Sequence, residues 1–187
     1  PVVAGAASLL IQKAKSEPNL YPAAYGSSSN CVLKSILMTS AKKLAGWHKG
    51  FETIEDDYEY PLDFKQGAGM LDALAAYKLL IAGLQHDGDV SNSGWDLNVL
   101  NAESAEEKVY TFQNGSEKRM LSATLVWNRN YEDKYPFNLK NFRDLQLAVY
   151  KIDAHGQIYF IETSDSPVDN VEHIYIPVDP NSTYQIV

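Results

Sequence analysis

The segment Pro1-Val-Val-Ala-Gly-Ala-Ala-Ser-Leu-Leu-Ile11 begins with proline and continues with small and apolar residues. Proline suits the first turn of a helix, because its missing N–H would have no partner there in any case. The run is apolar on every side, so the helix that it predicts needs a cover over its whole surface. We therefore expect this helix to lie deep inside a domain with further layers, and the chain to be part of a larger protein.

The composition and the lengths of the apolar runs argue against nucleic-acid binding and against a membrane span. The chain has 187 residues, of which 24 are acidic and 16 are basic, and its net charge is -8. This balance argues against nucleic-acid binding, because a basic patch cannot form without acidic neighbours. No apolar run reaches the roughly 18 to 20 residues that a membrane span needs. The single cysteine, Cys31, cannot form an internal disulfide, and its apolar surroundings predict a small buried core residue.

Residues 1–86 have the patterns of three helices. The first continues through Lys15 and ends before Pro18, and a turn-rich stretch follows as far as Asn30. Asn30 caps the second predicted helix, which Gly46 ends. The third follows Gly67-Ala-Gly69 and ends near Gly83. Apolar residues at helical spacing support the second and third helices: Val32, Ile36, Leu37, Leu44, Met70, Leu71, Leu74, Tyr77 and Ile81.

From residue 87 onward the period of the apolar residues changes to two, after turn residues at His86-Asp-Gly-Asp89. Short runs rich in β-branched and aromatic residues predict antiparallel strands, and Asp153-Ala-His-Gly156 predicts a hairpin turn. The fold class is therefore α+β, with a helical region at 1–86 and an antiparallel β-sandwich, jelly-roll-like, at 87–187. The last strand ends at Val187 without a turn, so we expect the sandwich to be cut there. The predicted strands are 109–112, 121–127, 145–152, 158–161, 171–176 and 184–187.

Three motifs in the helical region resemble subtilisin-like serine peptidases (S8-type subtilases). The opening segment 1–10 is similar to the one that directly follows the catalytic Gly-Thr-Ser. Val32-Leu-Lys-Ser-Ile-Leu-Met-Thr-Ser-Ala41 is similar to the family's next helix, and Gln66-Gly-Ala-Gly-Met-Leu-Asp-Ala73 is similar to the start of its last catalytic-domain helix. The motifs occur in the family's order. The resemblance implies that residues 1–86 are the C-terminal helices of a subtilisin-like α/β catalytic domain.

The strand region resembles the β-sandwich that is appended to many secreted bacterial members of that family. Ser122-Ala-Thr-Leu-Val-Trp127 is similar to their Ala-Thr-Leu-x-Trp strand. Arg143-Asp-Leu-Gln-Leu147 lies where they carry Asn-Asp-Leu-Asp-Leu, and Asp169-Asn-Val-Glu172 is similar to their Asn-Asn-Val-Glu. The segments 46–65 and 128–142 resemble the family least.

The resemblance implies the C-terminal portion of a secreted serine endopeptidase, which hydrolyses peptide bonds through an acyl-enzyme. Its partners would be the remainder of its own catalytic domain and protein or peptide substrates. The family's nucleophile, general base and oxyanion-hole residue all precede Pro1, so the chain should hold no catalytic residue and be inactive alone. Ser8 is a poor nucleophile candidate, because it is mid-helix with no histidine nearby in sequence. Thr39 and Ser40 match structural positions of the family.

Calcium is the only cofactor that the sequence suggests. Asp144, Asp169, Asn170 and Glu172 carry the oxygen ligands that calcium prefers, and appended sandwiches of this family can bind it. Arg143 and Gln146, however, replace two residues of the family's Asn-Asp-Leu-Asp-Leu, and an arginine opposes a cation. We therefore predict no metal site, and a polar corner held by hydrogen bonds. The loop run Glu55-Asp-Asp57 is interpreted as a solvated face.

The remaining candidates have structural interpretations. His48, His86, His155 and His173 are scattered without zinc spacing and are predicted to be ordinary exposed or partly buried histidines. Trp47, Trp95 and Trp127 could line a sugar-binding face, but their spread along the chain favours packing.

Two other function classes stay open. One is a non-catalytic module that binds protein or carbohydrate, which a coplanar exposed row of Tyr150, Tyr159 and Tyr175 would support. The other is a stand-alone interaction protein or pseudoenzyme. In every case we expect the chain to expose apolar surface around Val2, Val3, Leu9 and Leu10, and to associate with another copy or aggregate through this surface.

Overall fold

The computed structural model describes residues 1–54, 57–100, 106–140 and 143–187. Its architecture is α+β. The α-helices are α1 (Val2–Ser16), α2 (Ser29–Thr39) and α3 (Ala73–Ala82), and a 3₁₀ helix (Pro18–Ala23) follows α1. The strands are β1 (Gly88–Asp89), β2 (Tyr110–Gln113), β3 (Arg119–Val126), β4 (Asn130–Tyr131), β5 (Leu139–Lys140), β6 (Leu147–Ile152), β7 (Ile158–Ser164), β8 (Val171–Val178) and β9 (Thr183–Ile186).

Within the described residues, the strands form three sheets. One has five strands in the order β1-β2-β9-β6-β7, and the other two are the pairs β3-β8 and β4-β5. All of these neighbours are antiparallel except β1 and β2, which run parallel. The six predicted strands are thus present with small changes of their ends, and the turn Asp153–Gly156 joins β6 to β7 as predicted.

The second helix is shorter than predicted, because a tertiary pairing takes up the residues that follow it. Lys42 and Met70 exchange both backbone hydrogen bonds, at 2.8 and 2.9 Å. This pairing draws the chain out of helical geometry after Thr39, so the prediction of a helix as far as Gly46 is wrong. It also delays the third helix, which begins at Ala73 with the Asp72 carboxylate accepting the Ala75 N–H.

Gly69 allows the pairing of Lys42 with Met70. Its φ is 114°, in the region that favours glycine, and a Cβ there would lie 2.6 Å from the Lys42 carbonyl oxygen. Any other residue would push the two segments apart. The Gly67-Ala-Gly69 motif therefore has a local physical role, which is to let two backbone segments approach closely.

The helices share one apolar cluster. In α1 the buried residues are Ala6, Leu10 and Ala14, which recur every four residues and so lie on one face. Trp95, which lies beyond the predicted boundary at residue 86, packs in the same cluster, and its Nε1–H donates to the Leu80 carbonyl. The cluster consists of Leu10, Ala14, Leu20, Ala23, Val32, Leu33, Ile36, Ala76, Leu80 and Trp95.

One side of α1 is buried by the rest of the chain, including a residue that was predicted to be exposed. Leu10 is buried, so its prediction as exposed is wrong, whereas Val2, Val3 and Leu9 are 75%, 56% and 66% exposed as predicted. Among the described residues, the chain thus covers only one face of this apolar helix. Cys31 is buried in α2, as predicted.

A second apolar cluster lies between the five-stranded sheet and the β3-β8 pair. It contains residues from both: Phe112, Leu147, Val149, Ile174, Val178 and Tyr184. Separate polar contacts join the helical region to the strands. Asn30 donates to the Asn128 side chain at 2.8 Å, and the Lys49 ammonium lies 2.8 Å from Glu162.

Within the described ranges, none of the helices combines the length and the apolar character that a bilayer crossing requires.

Candidate functional site between the helices and the strands

The end of α2 is bonded to β3 through hydroxyl groups. The Thr39 hydroxyl donates to Thr124 Oγ1 at 2.7 Å, and the Ser122 hydroxyl donates to the Thr39 carbonyl at 2.8 Å. Side chains alternate along a strand, so Ser122 and Thr124 share the face that meets the helix. Thr39 is thus one of the residues that link the helical region to the strands.

His173 continues this chain of contacts into the interior. Its Nδ1 lies 2.8 Å from Thr124 Oγ1, and its Nε2 has no hydrogen-bond partner in the part of the chain that the structure describes. The side chain is completely buried, so its prediction as exposed or partly buried is wrong. Burial, with a smaller effect of Lys43 and Lys49, lowers its pKa to about 3. The direction of this shift favours the neutral ring, and the contact with Thr124 is a buried hydrogen bond between β3 and β8.

Two aromatic rings flank the Lys43 ammonium beside this histidine. The Lys43 ammonium lies 4.9 Å from the ring centroid of Trp47 and 5.2 Å from that of Tyr175, and it donates to the Ala68 carbonyl at 2.6 Å. Burial lowers the pKa of Lys43 to about 8. No local sequence pattern indicates this site, because it depends on the Lys42–Met70 pairing, which places residue 43 next to Tyr175 of β8.

A cavity of about 550 Å³ lies alongside β3. Seven consecutive residues of that strand, 119–125, line it, together with parts of α2, α3, β2 and the segment 90–96. Its walls are mixed. Leu121, Phe112 and Ile186 are apolar, whereas Lys78 and Asp96 carry charges. The size falls in the range of about 300–1,000 Å³ that is typical of ligand sites.

The predicted polar corner is present at the start of β8, and Glu172 is its centre. Both carboxylate oxygens accept hydrogen bonds, one from the Ser164 hydroxyl and one from the Ser166 N–H at 2.9 Å. Burial raises the pKa of Glu172 to about 7, and the nearby Asp165 and Asp169 add to the rise.

The other calcium candidates do not converge with Glu172 on one point. The Asn170 side-chain amide donates to the Trp127 carbonyl at 2.6 Å, and Asp169 accepts from the Ser166 hydroxyl at 3.0 Å. Asp144 is largely exposed, and its slight desolvation, together with the charge of Asp165, raises its pKa. No group of three or more histidine, cysteine or acidic side chains is arranged for a metal ion within the described residues.

The acidic run in the loop is only partly described. Glu55 and Asp56 lie outside the described residues, whereas Asp57 is buried and accepts the Phe51 N–H. Its interpretation as part of a solvated face is wrong, because the carboxylate is used to hold the loop backbone.

The tyrosine row that would support a binding platform is absent from the described residues. Tyr150 stands opposite Phe160, whereas Tyr159 is next to Phe160 in β7 and so lies on the other face of the sheet. Tyr175 belongs to β8 and packs edge-on against Trp47. The three rings do not form one surface, and the alternative of a carbohydrate-binding face loses its argument.

The three tryptophans pack as predicted. The ring N–H of Trp47 donates to the Gly67 carbonyl at 2.9 Å, and those of Trp95 and Trp127 donate to the carbonyls of Leu80 and Arg143. Of the hydroxyl candidates, Ser8 donates to the Ala4 carbonyl one turn back.

An exposed apolar surface spans α1 and α3, and we call it the helix face. In α3 its residues are Leu74, Tyr77 and Ile81, which share one side of the helix. In α1 they are Val2 and Leu9. The Lys13 ammonium, one turn from Leu9, lies 6.0 Å from the Tyr77 ring centroid, which places the two exposed stripes side by side. Exposed apolar surface of this kind is a candidate for association with another surface.

Comparison with protein-family models, with curated proteins and with solved structures finds no match for this chain.

Proposed function

We propose that this chain is part of a secreted subtilisin-like serine endopeptidase. It supplies the helices that follow the catalytic serine and most of an appended antiparallel sandwich of jelly-roll type. In the whole protein the reaction is peptide-bond hydrolysis through an acyl-enzyme. The chain itself holds no catalytic residue, and its strands stabilise the catalytic domain or shape access to its cleft.

The observation that carries the proposal is the helix face. α1 packs on the chain through Ala6 and Leu10, but Val2 and Leu9 lie open. In the family, the matching helix supports the nucleophile from inside a layered domain. A helix whose residues up to Ile11 are apolar on every side, but which is covered on one face, is what such a domain would leave after its other layers are removed.

The residues of the motifs also have roles that suit the proposal. Gly69 allows the close approach of Lys42, and Asp72 caps α3. The motif Gln66–Ala73 therefore forms a turn followed by a helix N-cap. Thr39, at the end of the second motif, bonds to β3. The motif pattern therefore coincides with positions where the residue type matters physically.

A helix that starts at the nucleophile would serve catalysis in two ways. Its packed interior fixes the serine backbone, and its positive end favours the negative charge that builds up in acyl transfer. Residues 1–11 would supply the rigid support, with no proton transfer of their own.

The test is the gene that encodes the chain. The proposal expects Gly-Thr-Ser shortly upstream of Pro1, with histidine- and aspartate-bearing motifs further upstream. The protein expressed from that longer reading frame should hydrolyse a general protein substrate and react with a serine-directed fluorophosphonate. Changing the upstream serine to alanine should abolish both. A reading frame that begins at Pro1, or one that lacks this serine, would contradict the peptidase and leave a pseudoenzyme or interaction protein.

A further inference from the structure

We propose that the free edge of β3 binds an extended peptide segment of another protein as an added β-strand. The inference is independent of the peptidase proposal, because it concerns an edge and a cavity whose description needs no family resemblance. It assigns an occupant to the cavity beside β3, which the proposed function leaves unused.

β3 has one paired edge and one unpaired edge. Over Arg119–Val126 it is antiparallel to β8, and no other strand pairs with it among the described residues. An unpaired edge presents a row of N–H and C=O groups, which are a template for a further strand.

Two hydrogen bonds show which residues direct their backbone groups toward that edge. The Trp127 N–H donates to the Asn170 carbonyl at 3.3 Å, in the register of the β3-β8 pair. The His173 N–H instead donates away from β3, to Ser164 Oγ at 3.2 Å. Paired and unpaired residues alternate in an antiparallel ladder. The backbone groups of Met120, Ser122, Thr124 and Val126 therefore point away from β8.

The cavity lies on this unpaired side. Residues 119–125 of β3 all line it, whereas Val178 is the residue that β8 contributes to its wall. At a rise of about 3.3 Å per residue, the lined part of β3 is about 20 Å long. Both the row of backbone groups and the open space beside it therefore extend over the length of a short strand.

The two walls of the cavity determine which side chains a bound strand can carry. Toward the cluster shared by the sheets the lining is apolar, and it includes Leu121, Leu125 and Phe112. Toward the helices it is mixed, with Thr39, Ser40 and Lys78. A strand in this position would direct alternate residues toward the two walls, so we expect apolar residues to alternate with small polar ones.

The walls also exclude a second folded copy as the occupant. α2 and α3 stand on one side of the edge and β2 on the other, so the edge is recessed. The β3 strand of another copy carries its own helices and cannot enter such a recess. A flexible extended segment can enter it, and such segments bind to sheet edges mainly through main-chain hydrogen bonds.

The probe is the capped peptide Lys-Val-Ser-Val-Ser-Val-Ser-Val-Ser-Lys, in which the lysines keep it soluble. Two matched peptides carry N-methyl groups, one on its valine amides and the other on its serine amides. Strand addition requires that one methylated peptide binds the protein roughly tenfold or more weakly than the parent, because several hydrogen bonds are lost. The other should retain most of the affinity. Equal binding of all three, or no binding of the parent, would overturn the proposal.

Hydrogen exchange locates the contact. In the protein alone, the amides of Met120, Ser122 and Thr124 should exchange faster than those of Leu121 and Ala123, which face β8. The parent peptide should slow the first set. Full protection of that set before peptide is added, or bound peptide without any change in it, would contradict binding at this edge.

A protein variant with its own control completes the test. Met120→Pro removes one outward N–H without breaking a bond to β8, and proline is tolerated at edge positions. Met120→Val keeps the N–H and changes only the side chain. We expect Met120→Pro to weaken peptide binding about fivefold and Met120→Val to leave it nearly unchanged. Equal affinities of the two variants would count against the proposal, and the methylated peptides test it without altering the protein.

Discussion

Glu172 and His173 are adjacent in β8 and both are completely buried, yet their side chains lie on opposite faces of the strand. Glu172 meets Ser164 and Ser166 among the strands, and His173 meets Thr124 next to the helices. Burial disfavours the charged form of each group, which raises the pKa of an acid and lowers that of a base. A rise in pH therefore lowers the stability that the burial of Glu172 contributes and raises the stability that the burial of His173 contributes.

Replacing Glu172 by glutamine should remove a loss of stability at rising pH. The pKa of Glu172 is raised to about 7 in the folded protein, above its ordinary value of 4.5. The stabilising effect of the protonated form is thus complete below pH 4.5 and is lost as the pH rises through about 7. Urea unfolding should show that Glu172→Gln reduces this decline. Glu117→Gln, at an exposed site, is the control and should keep it. An equal decline in all three proteins would contradict the prediction.

Replacing His173 should act in the acidic range. Its pKa is lowered to about 3 from an ordinary value of 6.5, so the unfolded chain takes up a proton before the folded one does. The stability present above pH 6.5 is therefore lost as the pH falls toward 3. We expect His173→Gln to be less stable at neutral pH but to lose less on acidification, as measured by urea unfolding between pH 7 and pH 4. His155→Gln, in an exposed turn, should behave like the unchanged chain; identical acid profiles for His173→Gln and the unchanged chain would refute this account.

The helix face should make the chain associate with itself. Leu9 is 66% exposed within it, and apolar surface of this kind is buried by association. Light scattering at micromolar concentration should give a mass above that of one chain. Leu9→Glu should shift the mass toward the monomer, whereas Ser8→Glu adds the same charge about a quarter-turn away and should not. A monomer before any substitution would show that the face does not mediate association.

Two glycine-to-alanine changes should have opposite signs. Gly69→Ala places a Cβ 2.6 Å from the Lys42 carbonyl at a φ of 114°, and it should destabilise the chain by roughly 1–3 kcal/mol. Gly5→Ala in α1 meets no atom within 4 Å and should stabilise it by about 0.5–1 kcal/mol. Thermal or urea unfolding measures both. A neutral Gly69→Ala would mean that the pairing of Lys42 with Met70 does not need the close approach.

Local sequence patterns predicted the elements well where no distant segment interferes. Alternation predicted β3 around Leu121–Trp127 within two residues of its observed ends, and the turn residues at 153–156 predicted the hairpin. The end of α2 was wrong because Lys42 pairs with Met70, which is 28 positions further along the chain and is invisible to a local pattern.

The site was less predictable than the fold. Glu172 was predicted as one member of a polar corner, but its two hydrogen bonds depend on the positions of Ser164 and Ser166. Lys43 and the β3 cavity gave no signal, because both arise where the helices meet the strands. Side-chain burial at such a junction depends on tertiary packing, so it cannot be predicted from the structural preferences of single residues.

The three tryptophans lie in different parts of the molecule, so their fluorescence can report on each part separately. Trp95 packs among the helices, Trp127 follows β3, and Trp47 lies where the two regions meet. In three proteins that each retain one indole, emission during denaturation would follow each region separately. Coincident curves would indicate that helices and strands melt as one cooperative unit, and Trp47 would change first if their contact opens before either interior does.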